Sequence, residues 1–219
     1  MISDPLPPIY KLLLSIQSSL LNAVAPQLRA VLVDVDSKNT ELFVAYIYDG
    51  EISDDLCSLA TVAIAEIDMD PFNYVTGDIA YRLDYPEKIP VRGKLAYLRK
   101  EPILPEIKRE NRSFFIEEGI WPLYIFFLDM QEALLGKVTP SLRLVTVRID
   151  PHQRKLISNF YYDGKISDED FRLAQAAIQD ARISFSDYST ESQIERIDFP
   201  NKIPSDGCTA VYWRWENKY

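Results

Sequence analysis

YDGEISDD at residues 48–55 and RLDYPEKIP at residues 82–90 decide the fold of this chain, because each occurs twice: the first returns as YDGKISDE at 162–169, the second as RIDFPNKIP at 196–204. Both returns fall at an offset of about 114 residues. Laid without a gap, residues 8–96 and 122–210 agree at roughly 34 of about 89 positions, far above what ordinary composition gives by chance. The chain is a tandem duplication. Its 219 residues therefore divide into a first repeat at 1–101, a linker at 102–119 and a second repeat at 120–219. Each repeat has the size of a small domain with its own core.

Working outward from the two motifs, each repeat opens with a helix, expected over 8–25 and 122–138. Pro8 and Pro122 stand at the starts, where a missing N–H costs nothing, and Pro26 and Pro140 follow the ends. Leu13, Ile16, Leu20 and Val24 recur at helical spacing, as do Phe127, Met130, Leu134 and Val138. Alternating stretches come next: Val31, Val33 and Val35 in the first copy, Val145, Val147 and Ile149 in the second, which is the period of a half-buried strand. A polar turn joins each to a second strand, at 42–48 and 156–162, in an antiparallel hairpin. After the Asp-Gly turn, Ser53 and Ser167 sit at N-cap positions. Leu56 and Asp170 stand three residues on, so the capping box is incomplete in both copies.

The second helices keep Leu59, Ala60, Ala63, Ile64 and Ile67 on one face, echoed by Leu173, Ala174, Ala177, Ile178 and Ala181. Third strands are expected near 78–84 and 193–198, fourth strands near 94–99 and 209–215. The order αββαββ predicts an α+β fold in which each repeat is a four-stranded antiparallel sheet with two helices on one face. The stretch between the repeats carries Pro102, Pro105 and a charged run, the composition of a linker.

Little here suggests catalysis. His152, the one histidine, lies in a turn with no cysteine partner; Cys57 and Cys208 occupy non-equivalent places, which argues against a disulfide framework or a metal site and for a reducing cytosol. No phosphate-cradling glycine loop occurs among 7 glycines. No cofactor is expected. The N-terminal residues lack the basic start and apolar run of a signal peptide, and the longest apolar segments are too short to span a bilayer. Arg82 with Asp84, and Arg196 with Asp198, point to one side of a strand and read either as binding pairs or as structural ion pairs. Tyr212, Trp213, Trp215 and Tyr219 close the chain as interface aromatics or as packing against the sister repeat.

Charge is more informative. The net charge of −9 disfavours direct nucleic-acid binding, which needs clustered Lys and Arg. Residues 34–84 carry about 12 acids against 2 bases, whereas residues 148–198 carry about 10 against 7. The copies have diverged in charge while keeping their apolar pattern. Such an excess suits a basic partner, or simply an acidic solvated face.

The succession of elements, with YDGEISDD before a helix, RLDYPEKIP after it and GKLAYLRKE at 93–101 in the last strand, resembles the small acidic immunity proteins of bacterial contact-dependent growth inhibition systems. The resemblance covers residues 9–101, and more loosely 123–216. It implies a non-enzymatic cytoplasmic protein that binds and blocks a cognate toxin, often a basic nuclease. On that basis Asp54, Asp55, Glu66, Asp68 and Asp70 are the expected partner-binding residues, their carboxylates standing where nucleic-acid phosphates would. The competing expectation is a structural or regulatory module in which the two repeats pack as a pseudo-twofold pair, a pseudo-dimer within one chain.

Overall fold

The structure is a computed structural model that describes residues 6–36, 41–67, 80–90, 93–102, 110, 112–113, 121–204 and 207–216. In the first repeat α1 (Pro8–Ser19) precedes β1 (Leu28–Asp36), β2 (Glu41–Tyr48), α2 (Asp54–Ala65), β3 (Ala80–Arg82) and β4 (Lys94–Leu98). In the second, α3 (Pro122–Leu134) is followed by β5 (Leu142–Asp150), β6 (Lys155–Tyr162), α4 (Asp168–Asp180), β7 (Ser189–Arg196) and β8 (Thr209–Trp213). The fold is α+β in two matching halves.

The sheets are mixed rather than wholly antiparallel. Their orders are β3-β2-β1-β4 and β7-β6-β5-β8. The inner strands pair antiparallel, but β3 runs parallel to β2 and β7 parallel to β6. The reason is the helix between them: a strand that returns to its neighbour through α2 or α4 makes a crossover, and a crossover delivers the chain back in the same direction. Strand β7 begins at Ser189, four residues before the expected 193. As an edge strand exposed along much of its length, STESQIER carries almost no apolar alternation to announce it.

The first helices also stop short of 25 and 138. Asn22 and Gly136, at equivalent positions, adopt φ of 61° and 70°, turning the chain out of the helix. Val24 and Val138 still face the core, which is why their spacing looked helical, but they do so as bridging residues. Val24 pairs with Arg214 and Val138 with Arg99. Each repeat thus completes the end of the other's last strand. The backbone bonds obey the same exchange: Asn22 N–H donates to the Trp213 carbonyl (2.9 Å) and Gly136 N–H to the Leu98 carbonyl (2.8 Å). Buried Gln17 donates to the Val211 carbonyl and buried Gln131 to the Ala96 carbonyl, both at 3.1 Å.

These contacts form an isologous, pseudo-twofold junction. Its core is continuous: Ile16, Leu20, Val24 and Tyr97 from the first repeat join Met130, Leu134, Val138 and Tyr212 from the second in one buried cluster. At about 1.5–3 kcal/mol per buried aliphatic side chain, against a net of about 1 kcal/mol per hydrogen bond, apolar burial supplies the strength and the paired bonds supply the register.

One residue breaks the register between the copies. Val33 faces Lys94, and its counterpart Val147 faces Thr209, so β8 answers β4 one residue beyond the offset that holds elsewhere. Cys208 is the added residue. At Gly93 a Cβ would collide with the Val33 carbonyl, whereas at Gly207 nothing lies within 4 Å. The tight approach at Gly93 is relaxed in the longer copy.

Candidate partner-binding surface

The duplicated motifs converge on a latch. Gly50 N–H donates to Asp84 Oδ1 at 2.7 Å, and Tyr85 N–H donates to Asp49 Oδ1 at 3.1 Å, so the two turns clasp each other. Arg99 reaches Asp49 Oδ2 at 2.8 Å. Beneath them Arg29 is buried, binding Glu101 through two bonds of 2.6 and 2.7 Å and donating to the carbonyls of Leu83 and Glu87. The Tyr85 ring lies against its guanidinium, 5.9 Å from the centroid. The second repeat rebuilds the arrangement with Asp163, Asp198, Arg214, Arg143, Glu216 and Phe199.

Arg82–Asp84 and Arg196–Asp198 are therefore structural pairs. The Arg196 bond and the Gly164 N–H bring the Asp198 carboxyl down to about 2. Asp84 is likewise lowered, by Arg82 and then by Gly50, and Asp49 by Arg99. Arg29, Glu101 and their counterparts were missed from sequence. The signal was RKE at 99–101 against RWE at 214–216, hidden by the one-residue slip at Cys208.

A second ion cluster has no counterpart, because it is built on the residues joining the repeats. Arg112 is buried and contacts Asp129 at 2.8 Å and Glu132 at 2.5 Å, with Glu110 at 3.2 Å. Glu110 also binds Lys94 and the Tyr10 hydroxyl. The connection is thereby tied to both halves at once. Burial raises the Asp129 carboxyl to about 6; Arg112 opposes this, but its one charge is shared among three carboxylates.

Of the five expected binding residues, Asp54, Asp55 and Glu66 are exposed on or beside α2; Asp68 and Asp70 lie outside the described residues. Asp54 and Asp55 also occupy the first turn of α2, where carboxylates favour the helix dipole. The second repeat shows what sets them apart. There Glu169 is bound by Lys100 from the first repeat, and Asp180 by Lys137 at 2.8 Å. The residues in those lysine places opposite Asp55 and Glu66 are Trp215 and Ala23. Among the described residues no ion pair reaches Asp54, Asp55 or Glu66. Lysines thus neutralise Glu169 and Asp180 on α4, whereas among the described residues nothing does the same for Asp55 and Glu66 on α2.

Asp55, Ser58, Leu59 and Val62 line a shallow groove against Trp215. With Glu66 they stand at helical positions i, i+3, i+4, i+7 and i+11, a single stripe. Val62 is 57% exposed. On the last strand Tyr212 is buried and Trp213 exposed, while Trp215 packs at the edge of the core.

The remaining candidates are plain. His152 is exposed in its turn. Cys57 is exposed on α2 and Cys208 partly buried, and neither is joined in a disulfide. Ser53 caps α2 by accepting from Leu56 N–H at 3.3 Å. Ser167 does more than expected: Asp170 completes the capping box, its short carboxylate accepting from Ser167 N–H at 3.0 Å. Among the described residues no three His, Cys, Asp or Glu side chains gather to hold a metal ion, and no helix is long and apolar enough to cross a membrane.

No curated protein matches the chain. A family model does match, and twice, over residues 10–101 and 125–216. These spans coincide with the two αββαββ units and their junction helices. Toxin immunity is what this match shares with the expected resemblance; the family differs from the contact-dependent inhibition proteins by name. Matched in both halves, the chain belongs to the MafI2 immunity protein family as a tandem pair.

Proposed function

We propose that this protein is a non-enzymatic cytoplasmic inhibitor that binds a basic toxin domain, of nuclease type, through the acidic surface of its first repeat. The observation that carries the proposal is the broken symmetry of the two second helices. Glu169 and Asp180 are matched by Lys100 and Lys137, while the positions equivalent to those lysines in the other copy hold Trp215, which lies beside Asp55, and Ala23. Carboxylates left without local countercharge project a field that accelerates encounter with a cationic surface, and closer contacts then set the lifetime of the complex. Asp54, Asp55 and Glu66, with Asp68 and Asp70, supply that field and occupy the toxin's phosphate-binding surface. The latch acids, Asp49 and Asp84, are already paired, so they contribute less than their number suggests.

The test uses the C-terminal domain of the toxin encoded in the adjacent reading frame. The full chain is expected to bind it and to restore growth to cells producing it. Reversing Asp55 and Glu66 to lysine is expected to slow association at least tenfold and flatten its salt dependence. Unchanged affinity and an unchanged salt slope would remove the acidic face from the mechanism.

The mutual exchange of strand ends between the repeats favours a second reading, an interaction module whose two halves work as one pseudo-dimer. That reading predicts toxin-independent partners bound equally by both faces of the pseudo-twofold.

A further inference from the structure

Resting on that reading, we infer that the groove between α2 and Trp215 receives an apolar side chain of the toxin, held in a basic segment with Lys or Arg on either side. The site is composite: α2 comes from the first repeat and Trp215 from the second. On the other side of the pseudo-twofold the place of Trp215 is held by Lys100, which crosses to Glu169 in an ion pair.

The chemistry of the occupant follows from the order of residues along the stripe. Carboxylates stand at its ends, Asp55 and Glu66, about 16 Å apart along the helix axis at 1.5 Å per residue. Between them Leu59 and Val62 present apolar surface beside the Trp215 ring. An isolated exposed valine is unremarkable; one lying in a groove beside a tryptophan, between unpaired acids, has the pattern of an interface anchor with a charged rim. A nucleic acid would be repelled by the same acids, and a purely apolar partner would leave them desolvated and unmatched. A cationic segment with a central apolar side chain satisfies both ends and the middle. Tandem duplication thereby gains a purpose: the second copy lends an aromatic wall to the first.

The experiment measures binding of the full chain and its variants to the same adjacent-frame toxin domain across a salt series. Val62→Asn is neutral and sits on an exposed position, so it tests the anchor without adding charge. It is expected to weaken binding about 30-fold through the off-rate, with the salt slope unchanged. Trp215→Ala is expected to do the same, with a thermal melt to verify folding; should it fail to fold, Val62→Asn decides. Gln179→Ala on the exposed side of α4 is expected to bind as the natural chain does. If the natural chain binds and Val62→Asn binds equally well, the groove is excluded while the immunity reading stands. If the natural chain itself does not bind, the immunity reading falls and the groove with it.

Discussion

Arg29 shows how one buried residue can hold together segments that are distant in sequence. Its side chain and that of Glu101 are 1% and 3% exposed, so neither charge is hydrated and each depends on the other. Glu101→Ala leaves a buried guanidinium with no carboxylate and only carbonyls as hydrogen-bond acceptors, and is expected to cost about 3–5 kcal/mol, measured by urea denaturation; a loss below about 1 kcal/mol would mean that the pair is dispensable. Asp129 behaves in the opposite sense with pH. An ordinary carboxylate titrates near pH 4, but burial raises Asp129 to about 6, so between those values the folded chain holds a proton that the unfolded chain has released. Its contribution therefore falls as pH rises through about 4 to 6 and is least favourable at neutral pH. Asp49, Asp84, Asp163 and Asp198, all lowered, run the other way: their stabilisation is present above the ordinary carboxylate range and is lost on acidification. Melting temperatures of the natural chain and Asp129→Asn compared at pH 7 and pH 5 should show the natural chain gaining on the variant at the lower pH. A constant difference would place the titration elsewhere.

At the scale of elements, the two second helices began as copies and now differ at their starts. Ser53 caps α2 alone, whereas Ser167 caps α4 within a box that includes Asp170, itself bound by Thr139 and Ser141. Ser53→Ala is expected to cost about 1 kcal/mol, and Ser167→Ala about 2, because the second change also removes a donor from a buried carboxylate. Equal losses in denaturant titrations would show that the box adds nothing. Both caps were legible in the sequence as serines before a helical pattern. The box was not, since Asp is shorter than the usual Glu or Gln and only the backbone geometry shows that it reaches. The parallel strands were equally hidden: periodicity reports which face of a strand is buried, not which way the strand runs.

For the molecule as a whole, the junction between repeats has the character of a core. Leu20, Val24, Leu134 and Val138 are buried there, and the connection is pinned through Arg112 to α3 and through Glu110 to Tyr10 and Lys94. An isolated first repeat, residues 1–101, would expose this surface. It is expected to self-associate into a dimer that restores the exchanged strand ends, observable by sedimentation at micromolar concentration. A stable, monodisperse monomer would contradict a shared core.

The duplication, the αββαββ order, the N-caps and the uneven charge were all settled by sequence, because repeats, apolar periodicity and composition are local properties of a chain. Tertiary structure alone decided the rest. Strand direction, the latch on Arg29 and Arg143, and the exchange across the pseudo-twofold join residues far apart in sequence, and no local pattern records such distances. The candidate surface divides in the same way. Its carboxylates were visible as a surplus of acids, but that Asp55 and Glu66 stand bare, while Glu169 and Asp180 do not, depends on which lysine, tryptophan or alanine the fold brings opposite each one.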